Sequence, residues 1–128
     1  MPLFGELFVS ELINQPVLDP QGDEIGRLKD FIVIKGEPLP RVSALILEEK
    51  RKQYCLEWNN VGIFNRRIIS SRIYASELKQ FEPADDNLLI VRDVFDKQIV
   101  DANGAKIVRA NDVKLEGVGD HACLSGVD

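Results

Sequence analysis

The stretch Val17–Asp30, "VLDPQGDEIGRLKD", returns 82 residues later as Ile99–Asp112, "IVDANGAKIVRAND", without a gap. Five of the fourteen positions are identical: Asp19/Asp101, Gly22/Gly104, Ile25/Ile107, Arg27/Arg109 and Asp30/Asp112. Val17/Ile99 and Leu18/Val100 keep apolar character. Asp19 and Asp101 open a turn by accepting hydrogen bonds from the amides that follow. Pro20 presets φ, and Gly22 and Gly104 supply a positive φ at the end. Each copy therefore predicts a tight β-hairpin with a glycine bulge, entering an apolar strand: "EIGRLKDFIVI" in the first copy, "KIVRANDVKL" in the second. The alternation slips around Gly26, which points to a bulge or bend there. A duplicated hairpin unit commits the chain to an all-β class.

The rest of the chain agrees. "VSALILE", Val42 to Glu48, and "YCLEW", Tyr54 to Trp58, flank a short charged turn at 50–53 and predict a second hairpin. "RRIISSRI" predicts a further strand. Only "YASELKQF", Tyr74 to Phe81, has helical spacing, with Leu78 and Phe81 on one face. "EPADDN", Glu82 to Asn87, is the one clear linker. Short strands, regular turn signals and little helix make a small β-barrel the expected architecture.

Hydrophobic residues make up 45% of the 128 residues and charged residues 29%, the balance of a folded chain. A net charge of −5 speaks against a duplex-binding protein, which carries a basic face for phosphates. Lys50-Arg51-Lys52 and Arg66-Arg67 are too short to change that and are expected to be solvated turns. No apolar run approaches the roughly 20 residues that span a bilayer, and "MPLFGELFVSELINQ" has no basic segment of a secretory signal. Cys55 and Cys123 are expected to be buried reduced thiols, as in a cytoplasmic protein.

The ordered set Ser10-Glu11-Leu12, Asp19, Gly22, Glu24-Ile25-Gly26, Asp30 and Trp58-Asn59-Asn60-Val61 resembles the PRC-barrel family over roughly residues 8–74. The resemblance implies a small, strongly bent β-barrel. Such barrels occur in the photosynthetic reaction-centre H subunit and in the ribosome maturation factor RimM, where they hold partners and do not catalyse. The segment "VFDKQIVDANGAKIVRANDVKLE" is similar to the region that precedes intracellular and CBS domains in MgtE-type, magnesium-transporter-related proteins. These likenesses imply a lead at 1–9, a PRC-barrel at 10–81, a linker at 82–88 and a second, partial or truncated PRC-like segment at 89–128. The function implied is a non-catalytic protein-interaction or regulatory module, the N-terminal part of a larger cytoplasmic protein. A small thiol-dependent enzyme using Cys123 and His121 is one alternative, and a RimM-like ribosome-assembly role is the other. The latter is disfavoured because RimM carries another barrel before its PRC module and only nine residues precede Ser10.

Site chemistry is sparse. Asp19, Asp23, Glu24 and Asp30 lack the ligand pattern of a calcium loop, and Asp23 and Glu24 become Ala105 and Lys106 in the second copy. No metal and no cofactor are expected, and magnesium should leave the melting temperature unchanged. Arg27/Asp30 and Arg109/Asp112 share an i, i+3 spacing, read as structural. His121 and Cys123 fall two apart on a strand, a conceivable thiol couple that rests on spacing alone. Tyr54 and Trp58 share a strand face and either fill the barrel or form a partner platform, with the core reading favoured. Ile99, Ile107, Val113 and Leu115 need cover. Either the first barrel supplies it or the same segment of a second chain does, and a homodimer is the expectation.

Overall fold

The computed structural model describes residues 6–36, 39–82, 88–92, 98–100, 107–109, 112–118 and 120–127. The chain opens with β1 (Glu6–Phe8), a single helical turn α1 (Val9–Leu12), β2 (Pro16–Leu18), β3 (Glu24–Ile34) and β4 (Arg41–Glu49). β5 (Lys52–Glu57) leads through a 3-10 turn at Trp58–Asn60 into β6 (Val61–Phe64) and β7 (Ile69–Ser71). A second 3-10 turn at Ala75–Glu77 precedes β8 (Lys79–Gln80). Then come β9 (Leu88–Leu89), β10 (Gln98–Val100), β11 (Ile107–Arg109), β12 (Val113–Val118) and β13 (His121–Val127). Among the described residues, eleven strands form one strongly curled, half-barrel sheet in the order β1-β12-β13-β4-β3-β2-β7-β6. β5 pairs with β4 and β8, and β9 with β3.

The curl has identifiable sources. The β2–β3 pairing jumps from Val17↔Gly26 to Leu18↔Glu24, so Ile25 is the extra residue of a bulge, next to the glycine where the alternation fails. Gly26 also lets β4 come close: a Cβ there would sit 3.2 Å from the Glu48 carbonyl oxygen and 3.3 Å from Leu47 Cβ. The β3–β4 pairing slips twice, between Leu28 and Asp30 and between Ile32 and Val33. Inside the curl lie Leu28, Phe31, Leu45, Leu47, Leu56 and Phe64, all fully buried. Phe64 meets Phe31 and Trp58 edge to face, at centroid distances of 6.2 and 5.1 Å.

The first hairpin turn forms as the sequence predicts. Asp19 Oδ1 accepts from the amides of Gln21 (2.8 Å) and Asp23 (3.0 Å), and Gly22 has φ +87°. No neighbour would meet a Cβ at Gly22, so its requirement is conformational alone. Gly22→Val is expected to cost about 1–2 kcal/mol through the left-handed backbone, and Gly22→Asn far less. Equal costs in denaturant titration would contradict this. The second hairpin also forms, with a tighter turn than expected: Lys50 and Arg51 alone turn, at φ 52° and 68°, and Lys52 and Gln53 already pair with Glu49 and Glu48.

One element differs. Tyr74–Phe81 is not a helix. It is a 3-10 turn followed by β8, whose Lys79 and Gln80 pair with Cys55 and Tyr54. The Phe81 amide then donates to the Gln53 carbonyl at 2.8 Å. A helix this short cannot repay its nucleation cost, whereas the open edge of β5 offers ready acceptors.

The sheet continues across the expected linker. β1 pairs with β12, and β12 with β13. β13 reaches β4 at Cys123↔Arg41. Val113 and Leu115 are thus fully buried within the chain, and the need for cover that motivated a homodimer is met for these two. The register of β12–β13 repeats that of β3–β4 at the offset of 82. Phe31↔Leu45, Ile32↔Ala44, Val33↔Val42 and Ile34↔Arg41 correspond to Val113↔Val127, Lys114↔Gly126, Leu115↔Leu124 and Glu116↔Cys123. The slip between Ile32 and Val33 recurs between Lys114 and Leu115. β10 and β11 form a separate two-stranded sheet. Its pairs Gln98↔Arg109 and Ile99↔Val108 match Pro16↔Arg27 and Val17↔Gly26. Asp101 and Gly104 lie outside the described residues.

Candidate functional site

Because β3, β4 and β5 alternate, the residues that do not enter the core emerge on the other face of the curled sheet. There Ile32, Ile34, Arg41, Ser43 and Cys55 line a groove of about 400 Å³, closed at one side by His121 from β13. Ile34 is 40% exposed, an apolar surface of the kind partner sites present. Arg41 Nη1 lies 3.5 Å from His121 Nε2, so the groove has a cationic end where β4 meets β13. Glu57 at the end of β5 supplies an opposite charge on the same lining.

Trp58 and Tyr54 do not form a shared platform. Trp58 opens the 3-10 turn after β5 and lies in the core, 5% exposed, on the inward side that Leu56 also takes. Its Nε1 donates to the Asp120 carbonyl at 2.8 Å, across 62 residues of sequence. The indole thus borders the groove while locking the β12–β13 turn against the first half of the chain. Tyr54 stays half-buried on β5, opposite Leu47 and Gln80.

The thiols do not assemble into a nucleophilic centre. Cys123 is buried between Glu116 and Arg41 in the sheet, whereas His121 is exposed and turned toward Arg41. Burial, reinforced by the charge of Glu57, pushes the Cys55 thiol above its ordinary value, so it stays protonated at neutral pH. Both cysteines are free. Among the described residues no three His, Cys, Asp or Glu side chains come together as a metal set.

Among the described residues, Arg27, Asp30 and Asp112, charges shared by the two copies, bond to the backbone. Arg27 Nη1 donates to the Asn14 carbonyl at 3.0 Å. Asp30 is 8% exposed and accepts from the amides of Phe31 (2.7 Å), Val91 (2.7 Å) and Arg92 (3.0 Å). Asp112 accepts from the Val113 amide at 2.9 Å and from Ser10, by its amide at 3.1 Å and its hydroxyl at 2.5 Å. Both aspartates take a structural role, each accepting from the amide that follows it and from an amide of the other copy, partners that the i, i+3 spacing does not itself specify. Extending the offset of 82 outward would have exposed them, through Leu7/Leu89, Val9/Val91 and Ser43/Ser125.

A surface ion pair ties β1 to β12. Lys114 Nζ lies 2.8 Å from Glu6 Oε2. Lys114 holds the Glu6 carboxyl below its ordinary value of 4.5, and Glu6 raises Lys114 above 10.5. The carboxyl's contribution is therefore present above pH 4.5 and fades as pH falls through the lowered value. That of Lys114 is present below pH 10.5 and fades as pH rises through the raised one. Both groups are exposed, so the effect is small and screened by salt. Lys114→Met should remove that part of the acid dependence of melting which 1 M salt also removes. An unchanged acid limb would refute the pairing.

The described residues thus form a curled all-β sheet that carries an open groove on one face. The sequence carries the family assignment further: the model of the PRC-barrel domain matches residues 4–80, and the chain belongs to the PRC-barrel family. This is a family of non-catalytic modules. No curated protein matches the chain. Among the described residues no helix is long and apolar enough to cross a membrane.

Proposed function

We propose that this PRC-barrel protein is a non-catalytic interaction module that holds a protein partner in the groove on β3, β4 and β5. The observation that carries the reading is the exposed Ile34 beside Ile32, in a cleft whose polar end is Arg41 and His121. Apolar anchors with a few placed polar groups are the composition of a specific contact surface. The likeness of residues 94–116 to magnesium-transporter-related regions supports a regulatory setting: the chain as the N-terminal part of a larger cytoplasmic protein, with the partner on downstream domains or another polypeptide.

A photoreactive amino acid at Ile34 in cells tests this, with the same group at Arg51, on the remote β4–β5 turn, as control. Discrete protein adducts from position 34 and not from position 51 are expected. Identical adduct patterns at both positions, or none at position 34, would sink the proposal.

A further inference from the structure

The distant contacts of the two repeated units are reciprocal. The lead strand of the first unit, β1, pairs with β12 of the second, and the lead strand of the second, β9, pairs with β3 of the first. Asp112 of the second unit accepts from the Ser10 amide of the first. Asp30 of the first accepts from the Arg92 amide of the second. At an offset of 82, Ser10 corresponds to Arg92 and Asp30 to Asp112 (10 + 82 = 92; 30 + 82 = 112). Exchanging the units therefore turns one contact into the other. The junction of β4 and β13 behaves the same way. Its pair is Arg41↔Cys123, and these are equivalent positions (41 + 82 = 123). An antiparallel pair of equivalent residues places a two-fold axis between them, the mark of an isologous contact.

We infer that the chain is a fused dimer: two copies of one half-unit, residues 6–46 and 88–128, associated about a pseudo-two-fold axis between Arg41 and Cys123, each lending its lead strand to the other. The surface of the first unit that receives β9, β12 and β13 is then a protein-binding surface in its own right. Its partner is a second copy of the same unit, here supplied by the same polypeptide. The interface has an apolar part, since Leu7, Val9, Val113, Leu115 and Ala122 are buried in the common core. Its polar part is the pair of aspartate clasps. The two sides have diverged: the β9–β3 register is shifted by one residue from that of β1–β12, and buried Phe31 stands where the second unit has Val113. The Glu6–Lys114 ion pair occupies the positions that Leu88 and Ile32 hold on the other side. The inference does not depend on the groove or its occupant.

Chains that associate through such an interface need no peptide bond between them. The test uses the full chain with a protease site placed between Pro83 and Asn87. After complete cleavage, the two pieces should co-migrate at the mass of the uncut chain at micromolar concentration. The amides of Ser10, Val91 and Arg92 should keep their hydrogen-exchange protection. Separation of the pieces, or loss of that protection, overturns the inference.

A second variant guards against a merely trapped complex. Asp112→Ala, at a half-exposed position whose loss leaves the uncut chain folded, should raise the dissociation constant of the cleaved pieces about fivefold. Lys50→Gln, outside the interface, should not change it. If both substitutions act alike, the clasp is not part of an interface and the inference fails.

Discussion

Phe64→Ala is expected to destabilise the protein by about 3–5 kcal/mol, the range for emptying a fully buried aromatic site. Phe64 has no exposure, and its ring is the link between Phe31 on β3 and Trp58 after β5. The sheet is curled tightly about this point, with slips in β3–β4 on one side and the β6–β7 pairing on the other, so the walls cannot collapse into the space. The transfer and cavity contributions therefore add. Melting should fall by roughly 10 °C or more. Trp58 is the single tryptophan, so its emission reports on the same site and should move to longer wavelength as water reaches the indole. Phe64→Leu keeps most of the volume and should cost about half as much or less, without the spectral shift. A cost below about 1.5 kcal/mol for the alanine variant, with unchanged emission, would mean that this aromatic trio does not hold the barrel closed.

Local chemistry made part of this fold legible. Asp19 and Gly22 announce their turn because the turn is made by four adjacent residues and their own hydrogen bonds. The β4–β5 hairpin is legible for the same reason. The bend at Gly26 shows as a break in alternation, and the sheet uses it twice, for the Ile25 bulge and for the approach of β4. What could not be read is what strand edges do with one another. Whether Lys79 and Gln80 continue a helical turn or add to β5 depends on an open edge some 25 residues back, not on their own spacing.

The candidate site was legible only by class. Tyr54 and Trp58 share a face on paper, but the indole at the end of β5 is buried while Tyr54 near its start is only half-buried. Ile34, Arg41 and His121, which do line the groove, carry no motif. They meet because β13 arrives beside β4, 80 residues after Arg41. The repeat itself was seen through its hairpin turn, where identity is dense. Its wider extent is carried by register and by single matches such as Ser43/Ser125, which become informative only once the pairing is known. β13 meets β4 at Cys123↔Arg41, positions that correspond at the offset of 82.

Asp30→Ala should be the most damaging polar substitution, at about 3 kcal/mol. Its carboxylate, almost wholly removed from water, accepts the amides of Phe31, Val91 and Arg92. Hydrogen bonds to a charged acceptor contribute about 1.5–3 kcal/mol each in net stability, and a buried amide that loses its acceptor adds a desolvation cost. The loss is also long-range. Val91 and Arg92 lie 61 and 62 residues away, and this carboxylate is one of the groups that fasten the second unit to the first. Asp30→Asn keeps one acceptor and places donor hydrogens against donors, so it should recover only part of the loss. Asp112→Ala removes the matching clasp at Ser10, which is solvent-exposed and can turn to water, and should cost about 1 kcal/mol. Hydrogen exchange separates clasp from general destabilisation: in Asp30→Ala the Val91 and Arg92 amides should lose protection well beyond the loss at Leu45 and Leu47 on β4. Uniform loss across all four amides, or equal costs at Asp30 and Asp112, would show that burial of the Asp30 carboxylate does not set the strength of the clasp.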